Sequence, residues 1–181
     1  MKDIMIDIET LGNKGTSAVA TIGAVEFGAG FVTENTFYTR IDWIDALKYG
    51  TMDASSMKWW MNQNDEARAE MTKDGAISLK KGLRQLADWM PKPIDEVRVW
   101  GNGSVFDIAI LNYAFNQVQV KLPWHFRNVR DVRTVTDLTY GHIDPKDYVD
   151  GTVAHNALSD AIYQANYLSD MLKKIEDALK K

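Results

Sequence analysis

The stretch Asp7-Ile8-Glu9-Thr10, directly after the apolar run Ile4-Met5-Ile6, constrains this chain more than any other. The apolar run reads as a first β-strand and the acidic pair as its end. Side chains two apart on a strand share a face. Asp7 and Glu9 therefore present two carboxylates side by side, and Ile8 turns the other way into a core. Like charges that close each disfavour ionisation of the other. A strand that reads as central carries them only with compensation. The most economical compensation is a hard divalent cation such as Mg²⁺ or Mn²⁺, which takes oxygen ligands. The bland alternative for such a pair is a solvated strand end.

Composition narrows the setting. A chain of 181 residues with 45% hydrophobic and 25% charged content is expected to form one domain, spanning residues 1–181, with a full core. The absence of Cys excludes disulfides and thiolate metal sites. The N-terminus goes straight into a strand, and no apolar run is long enough to span a bilayer. A cytoplasmic protein with no membrane partner is the expectation. The formal net charge of −4 counts mildly against a sequence-independent nucleic-acid binder. Acidic metal ligands, offset by their cation, reduce that objection.

Taken in order, residues 18–27 read as a second strand, Gly28-Ala29-Gly30 as a turn and residues 31–41 as a third strand, making an antiparallel meander. Asp53 to Ser56 offers N-caps for a helix that carries Trp59 and Trp60, and Asn64 caps a helix over 65–71. Adjacent tryptophans on a helix face different ways, so one is expected in the core. The other either packs as well or offers a stacking surface. Leu79, Leu83, Leu86 and Met90 mark an amphipathic helix over 78–90, ended by Pro91. A fourth strand at 97–100 leads into a helix from about Ser104. A short extended piece near 126–129, a helix over 131–140, a polar loop at 141–151 and a helix from about Ala157 follow. This order predicts an α/β sandwich around a mixed five-stranded sheet.

Two further clusters join the first. Asn102-Gly103-Ser104-Val105-Phe106-Asp107 puts a carboxylate just inside a helix, and His155-Asn156-Ala157-Leu158-Ser159-Asp160 puts a His before the last helix and an Asp within it. Asp-x-Glu-Thr, Asn-x-x-x-Phe-Asp and His-x-Ala-x-x-Asp, in that order, resemble the three motifs of the DEDD exonuclease superfamily. The His that opens the third motif resembles the DEDDh branch, with ribonuclease T, oligoribonuclease and proofreading subunits. Met57-Lys58-Trp59-Trp60 and Arg130-Asp131-Val132-Arg133-Thr134 resemble the sub-branch of phage exonuclease A proteins and the mycobacterial Rv2179c-like ribonuclease. The resemblance implies a ribonuclease-H-like fold and 3′-5′ exonuclease chemistry.

It also implies roles. Two divalent ions about 3.5–4 Å apart can clamp an in-line phosphoryl displacement. Asp7 would bridge them, Glu9 and Asp160 would complete one site, and Asp107 would help hold the other. His155 lies five positions before Asp160, about 140° round a helix. It must therefore sit on the loop, with Asn156 as N-cap, where it can act as general base. His142 is the competing candidate, and His125 is expected to pack. Ile8, Thr10, Leu11 and Phe106 are expected to line the terminal nucleotide. Asn102 either binds substrate or pins its turn. Arg130 and Arg133 are expected to contact phosphates, unless Arg130 pairs with Asp131 or a Glu. Asp131 is expected to cap its helix.

The expected activity is metal-dependent removal of 5′-mononucleotides from single-stranded 3′ ends, with DNA favoured by the phage-like resemblance and RNA the alternative. Competing readings are a non-catalytic binding module and a small-molecule phosphohydrolase. A homodimer is expected from resemblance to oligoribonuclease-like relatives.

Overall fold

The computed structural model describes residues 1–139 and 155–180. The predicted loop at 141–151, and His142 within it, lie outside the described residues. Strands β1 (Lys2–Thr10), β2 (Val19–Gly28) and β3 (Phe31–Arg40) form the expected antiparallel meander. Strand β4 (Val97–Gly101) adds parallel to the other side of β1, and β5 (Val129–Asp131) adds parallel to β4. The sheet order β3-β2-β1-β4-β5 puts β1 at the centre.

Seven helices accompany the sheet among the described residues: α1 (Trp43–Ala46), α2 (Ala54–Met61), α3 (Asp65–Thr72), α4 (Leu79–Trp89), α5 (Asp107–Gln117), α6 (Val132–Thr139) and α7 (Ala157–Leu179). Asp53, Asn64 and Asn156 cap α2, α3 and α7 through their side chains, as their residue types predict. Helix α1 has four residues, too few for a periodic signal. Helix α5 begins at Asp107 rather than near Ser104, because Gly103 (φ +103°) and its neighbours extend the turn after β4. The Ser104 N–H donates to Asp131 at 2.6 Å, and Asp131 also accepts from the Arg133 N–H at 2.9 Å. Asp131 thus caps α6 as expected and ties two loops together. The extended piece expected at 126–129 lies slightly later, with a single 3₁₀ turn at 126–128 leading into β5.

The period-2 alternation of β1 sorts its residues into two layers. Ile4, Ile6 and Ile8 enter the core under α2, α4 and α5, with Trp60, Leu83, Leu86 and Ile108. Met5 points the other way, against Val132 of α6 and Ala161, Ala165 and Leu168 of α7. Asp7 and Glu9 continue the Met5 face, so the acidic pair emerges beneath the start of α7. The last helix can come that close because Gly23 lies opposite Asp7 in the β1–β2 register. A Cβ on Gly23 would stand 2.2 Å from the carbonyl carbon of Ala157. The first turn of α7 therefore rests directly on the sheet backbone.

Gly23→Ala is expected to force α7 away from the sheet at a cost of about 1–3 kcal/mol, the usual penalty of overpacking. Thermal unfolding should show a lowered midpoint with the secondary structure retained.

Candidate active site

Asp7 and Glu9 sit half-buried at the carboxyl end of the central strand. Asp107 opens α5, is 5% exposed, and lies near the backbone N–H of Ile8, which acts to lower its pKa. The pairing of β1 with β4 ends at Met5 and Trp100, and Asp107 follows beside Ile8. Asp160 lies in the first turn of α7. His155 precedes that helix with φ +66°, a left-handed conformation uncommon outside glycine. Its N–H donates to Asp160 Oδ2 at 3.1 Å, which folds the loop back over the helix start. Glu9, His155 and Asp160 each bring a ligand atom within 4.8 Å of one another.

The electrostatics show that these groups share one site. Burial raises the pKa of Asp7 well above the ordinary carboxylate value, and repulsion from Asp107, Glu9 and Asp160 raises it further. Burial, with repulsion from Asp160 and Asp107, lifts Glu9 to about 8. Burial lifts Asp107 to about 7, against the lowering effect of its backbone hydrogen bonds and of Arg133. Among the described residues, no Lys or Arg forms an ion pair with Asp7, Glu9 or Asp107. A concave set of hard oxygen donors, short of positive charge, suits a divalent cation.

A cavity of about 470 Å³ opens beside Glu9, within the range of small-ligand sites. Ile8, Thr10 and Phe106 line it, as do Ser55, Ser56 and Trp59. Trp60 is the buried member of the tryptophan pair, and its indole N–H donates to the Thr10 carbonyl at 3.0 Å. Trp59 is 44% exposed, with its ring 4.8 Å from that of His155 at 80°. Asp53 accepts from the Asn13 N–H and from Ser55 and Ser56, clasping the loop after β1 to α2.

One sequence expectation needs correction. Leu11 is fully buried, and it pairs through its N–H with Ala18 and its carbonyl with Asp53, so it does not line the cavity. The register shift between Glu9 and Thr10 breaks the alternation and turns Leu11 into the core. Arg130 donates to the carbonyls of Arg127 and Val129 and pairs with neither Asp131 nor a Glu. Arg133 is exposed beside Gly103 and acts electrostatically on Asp107. Asn102 lies in the turn after β4, outside the cavity lining. His125 stacks on Phe126, itself 72% exposed, and accepts from the Arg127 N–H. Sequence reasoning missed Gly23 and Gln164, which donates to Asp7 Oδ1 at 2.8 Å. Gln164 is four residues after Asp160, the spacing of one helix face, and that signal was present in the sequence.

Residues 2–172 match the model of the 3′-5′ exoribonuclease Rv2179c-like domain. The chain belongs to this family of DEDDh exonucleases. A curated relative is the exodeoxyribonuclease of Enterobacteria phage T4, 28% identical over 98% of this chain and 93% of its own. Among solved structures, the nuclease domain of 3′hExo, a DEDDh family member bound to rAMP, covers 96% of this chain and 92% of its own at TM-score 0.62 and 15% identity. Exonuclease I of E. coli in complex with a dA16 oligonucleotide covers 96% at TM-score 0.67 and 14% identity, and this chain spans 41% of its length. These likenesses show the ribonuclease-H-like fold. The Rv2179c-like chain is thus a DEDDh-type 3′-5′ exonuclease, and its family depends on divalent metal. No helix among the described residues is long and apolar enough to cross a membrane.

The raised carboxylate pKa values set a pH dependence. The folded protein holds these protons more tightly than the unfolded chain, so their contribution to stability is complete below about pH 4 and lost as pH rises through about 7 to 8. In chelator, the thermal midpoint is expected to fall between about pH 5 and about pH 9. Asp7→Asn should flatten that fall, and a divalent cation at the alkaline end should reverse it.

Proposed function

We propose that this exonuclease takes single strands at their 3′ end and releases 5′-mononucleotides one at a time, with DNA as the preferred substrate. The reading rests on one observation. Four carboxylates and a loop histidine from β1, α5 and the start of α7 meet beside an open cavity with an aromatic wall. A terminal nucleotide seated there would lay its base against Trp59 or Phe106, and base–aromatic stacking tolerates any sequence. The scissile phosphate would then lie toward Glu9 and Asp107. Arg133 adds a cation near that path, which a chain of net charge −4 needs locally.

Asp7, Glu9, Asp107 and Asp160 are the residues that would hold two ions, Mg²⁺ or Mn²⁺. When bound, such ions supply charge neutralisation for the transferring phosphoryl group and its flanking oxygens. The protein's own part is positional. His155, held on its loop by the bond to Asp160 and by the edge of Trp59, accepts a proton as water attacks phosphorus. The bond from phosphorus to the 3′ oxygen breaks, and that oxygen leaves with a proton as the new 3′-hydroxyl. The terminal nucleotide departs with its 5′-phosphate.

The full-length likeness to a phage exodeoxyribonuclease supports DNA. The family's exoribonuclease description supports RNA as the second reading. Discrimination between them needs a contact with the 2′-hydroxyl. A homodimer is part of the proposal by resemblance alone.

Two experiments follow. With 5′-labelled single-stranded DNA and RNA of one sequence, DNA should shorten faster in Mg²⁺ or Mn²⁺. Asp7→Ala should be inactive, His155→Ala slowed by about 10²–10⁴, and His142→Ala near wild type. Full activity in EDTA would overturn the assignment. Separately, Trp59→Ala should raise KM for oligonucleotides several-fold, and Trp59→Phe, which keeps an aromatic face, should recover most of it.

A further inference from the structure

Gln164 is 7% exposed and lies where α7 crosses β1. Its Nε2 donates to Asp7 Oδ1 at 2.8 Å. Its Oε1 is buried and has no hydrogen-bond partner among the described residues. A buried amide with half its capacity unmet needs a reason, since such groups are few in folded proteins. An apolar side chain of the same length would fill this space without stranding an oxygen, so packing alone does not account for a glutamine.

The reason lies in what the amide does for Asp7. No other hydrogen bond reaches that carboxylate among the described residues, and three further acids crowd it. A Lys or Arg here would satisfy Asp7 but would take the place of the cation. A neutral donor favours the ionised form, fixes the carboxylate's rotation and adds no competing charge.

We propose that Gln164 is a positioning residue for cation binding, holding one oxygen of Asp7 so that the other is presented to the metal. This rests on the metal-dependent reading of the site. Hydrogen-bond partners of ligating carboxylates typically carry about a tenfold or greater effect on metal affinity.

The test is calorimetric titration of the metal-free protein with Mn²⁺, comparing wild type with Gln164→Met. Thermal midpoints are measured in chelator, and kcat and KM are measured on a single-stranded oligonucleotide. The expected result is Mn²⁺ binding weakened by about tenfold and a lowered kcat. KM should be unchanged, and the metal-free midpoint should stay near wild type, because loss of the Asp7 hydrogen bond is offset by removal of the stranded amide oxygen. Unchanged Mn²⁺ affinity in a variant whose parent binds and cleaves normally would overturn the role of Gln164 alone. A metal-free midpoint several degrees lower would do so too, because it marks a structural role. A wild-type protein that binds no Mn²⁺ would overturn the metal reading itself and this inference with it.

Discussion

Crowding of half-buried carboxylates at the end of β1 governs this structure. Asp7, Glu9, Asp107 and Asp160 come from three separate segments, and their charges raise the proton affinity of Asp7 and Glu9 on top of what burial does. The fold spends stability to assemble them, and among the described residues no arginine or lysine cancels the cost by an ion pair with Asp7, Glu9 or Asp107. Local frustration of this kind is characteristic of sites prepared for a ligand of opposite charge.

Several features of the architecture make sense from that constraint. The acids gather at the carboxyl end of a central strand flanked by one antiparallel and one parallel neighbour. Open α/β sheets place ligands at such ends, where strand direction or order changes. Strand β4 pairs with β1 only as far as Trp100, and Asp107 follows at the start of α5. On the other side, Gly23 lets α7 settle on the sheet, bringing His155 and Asp160 down to Glu9. The indole of Trp60 and the carboxylate of Asp53 fix the strand end to α2, so the cavity wall and the acidic floor keep their spacing.

Much of this was legible in the sequence because it is encoded locally. The alternation through Ile4–Glu9 gave the two faces of β1, and the caps at Asp53, Asn64 and Asn156 marked helix starts. The five-residue spacing of His155 and Asp160 required the histidine to leave the helix, and its left-handed backbone shows that it does. What escaped depends on contacts distant along the chain or on broken regularity. Leu11 was expected at the substrate through the family resemblance, yet the register shift at Glu9/Thr10 turns it into the core. Gly23 is an unremarkable strand glycine until the register sets it opposite Asp7 and beneath Ala157.

The central claim is that these four acids exist to gather a pair of cations against a phosphodiester. It is tested most directly by anomalous diffraction from crystals soaked with Mn²⁺ and a nucleoside 5′-monophosphate. The account predicts two anomalous peaks about 3.5–4 Å apart between Asp7, Glu9, Asp107 and Asp160, with the phosphate against both. Anomalous density absent from that cluster, with the nucleotide bound elsewhere, would contradict it.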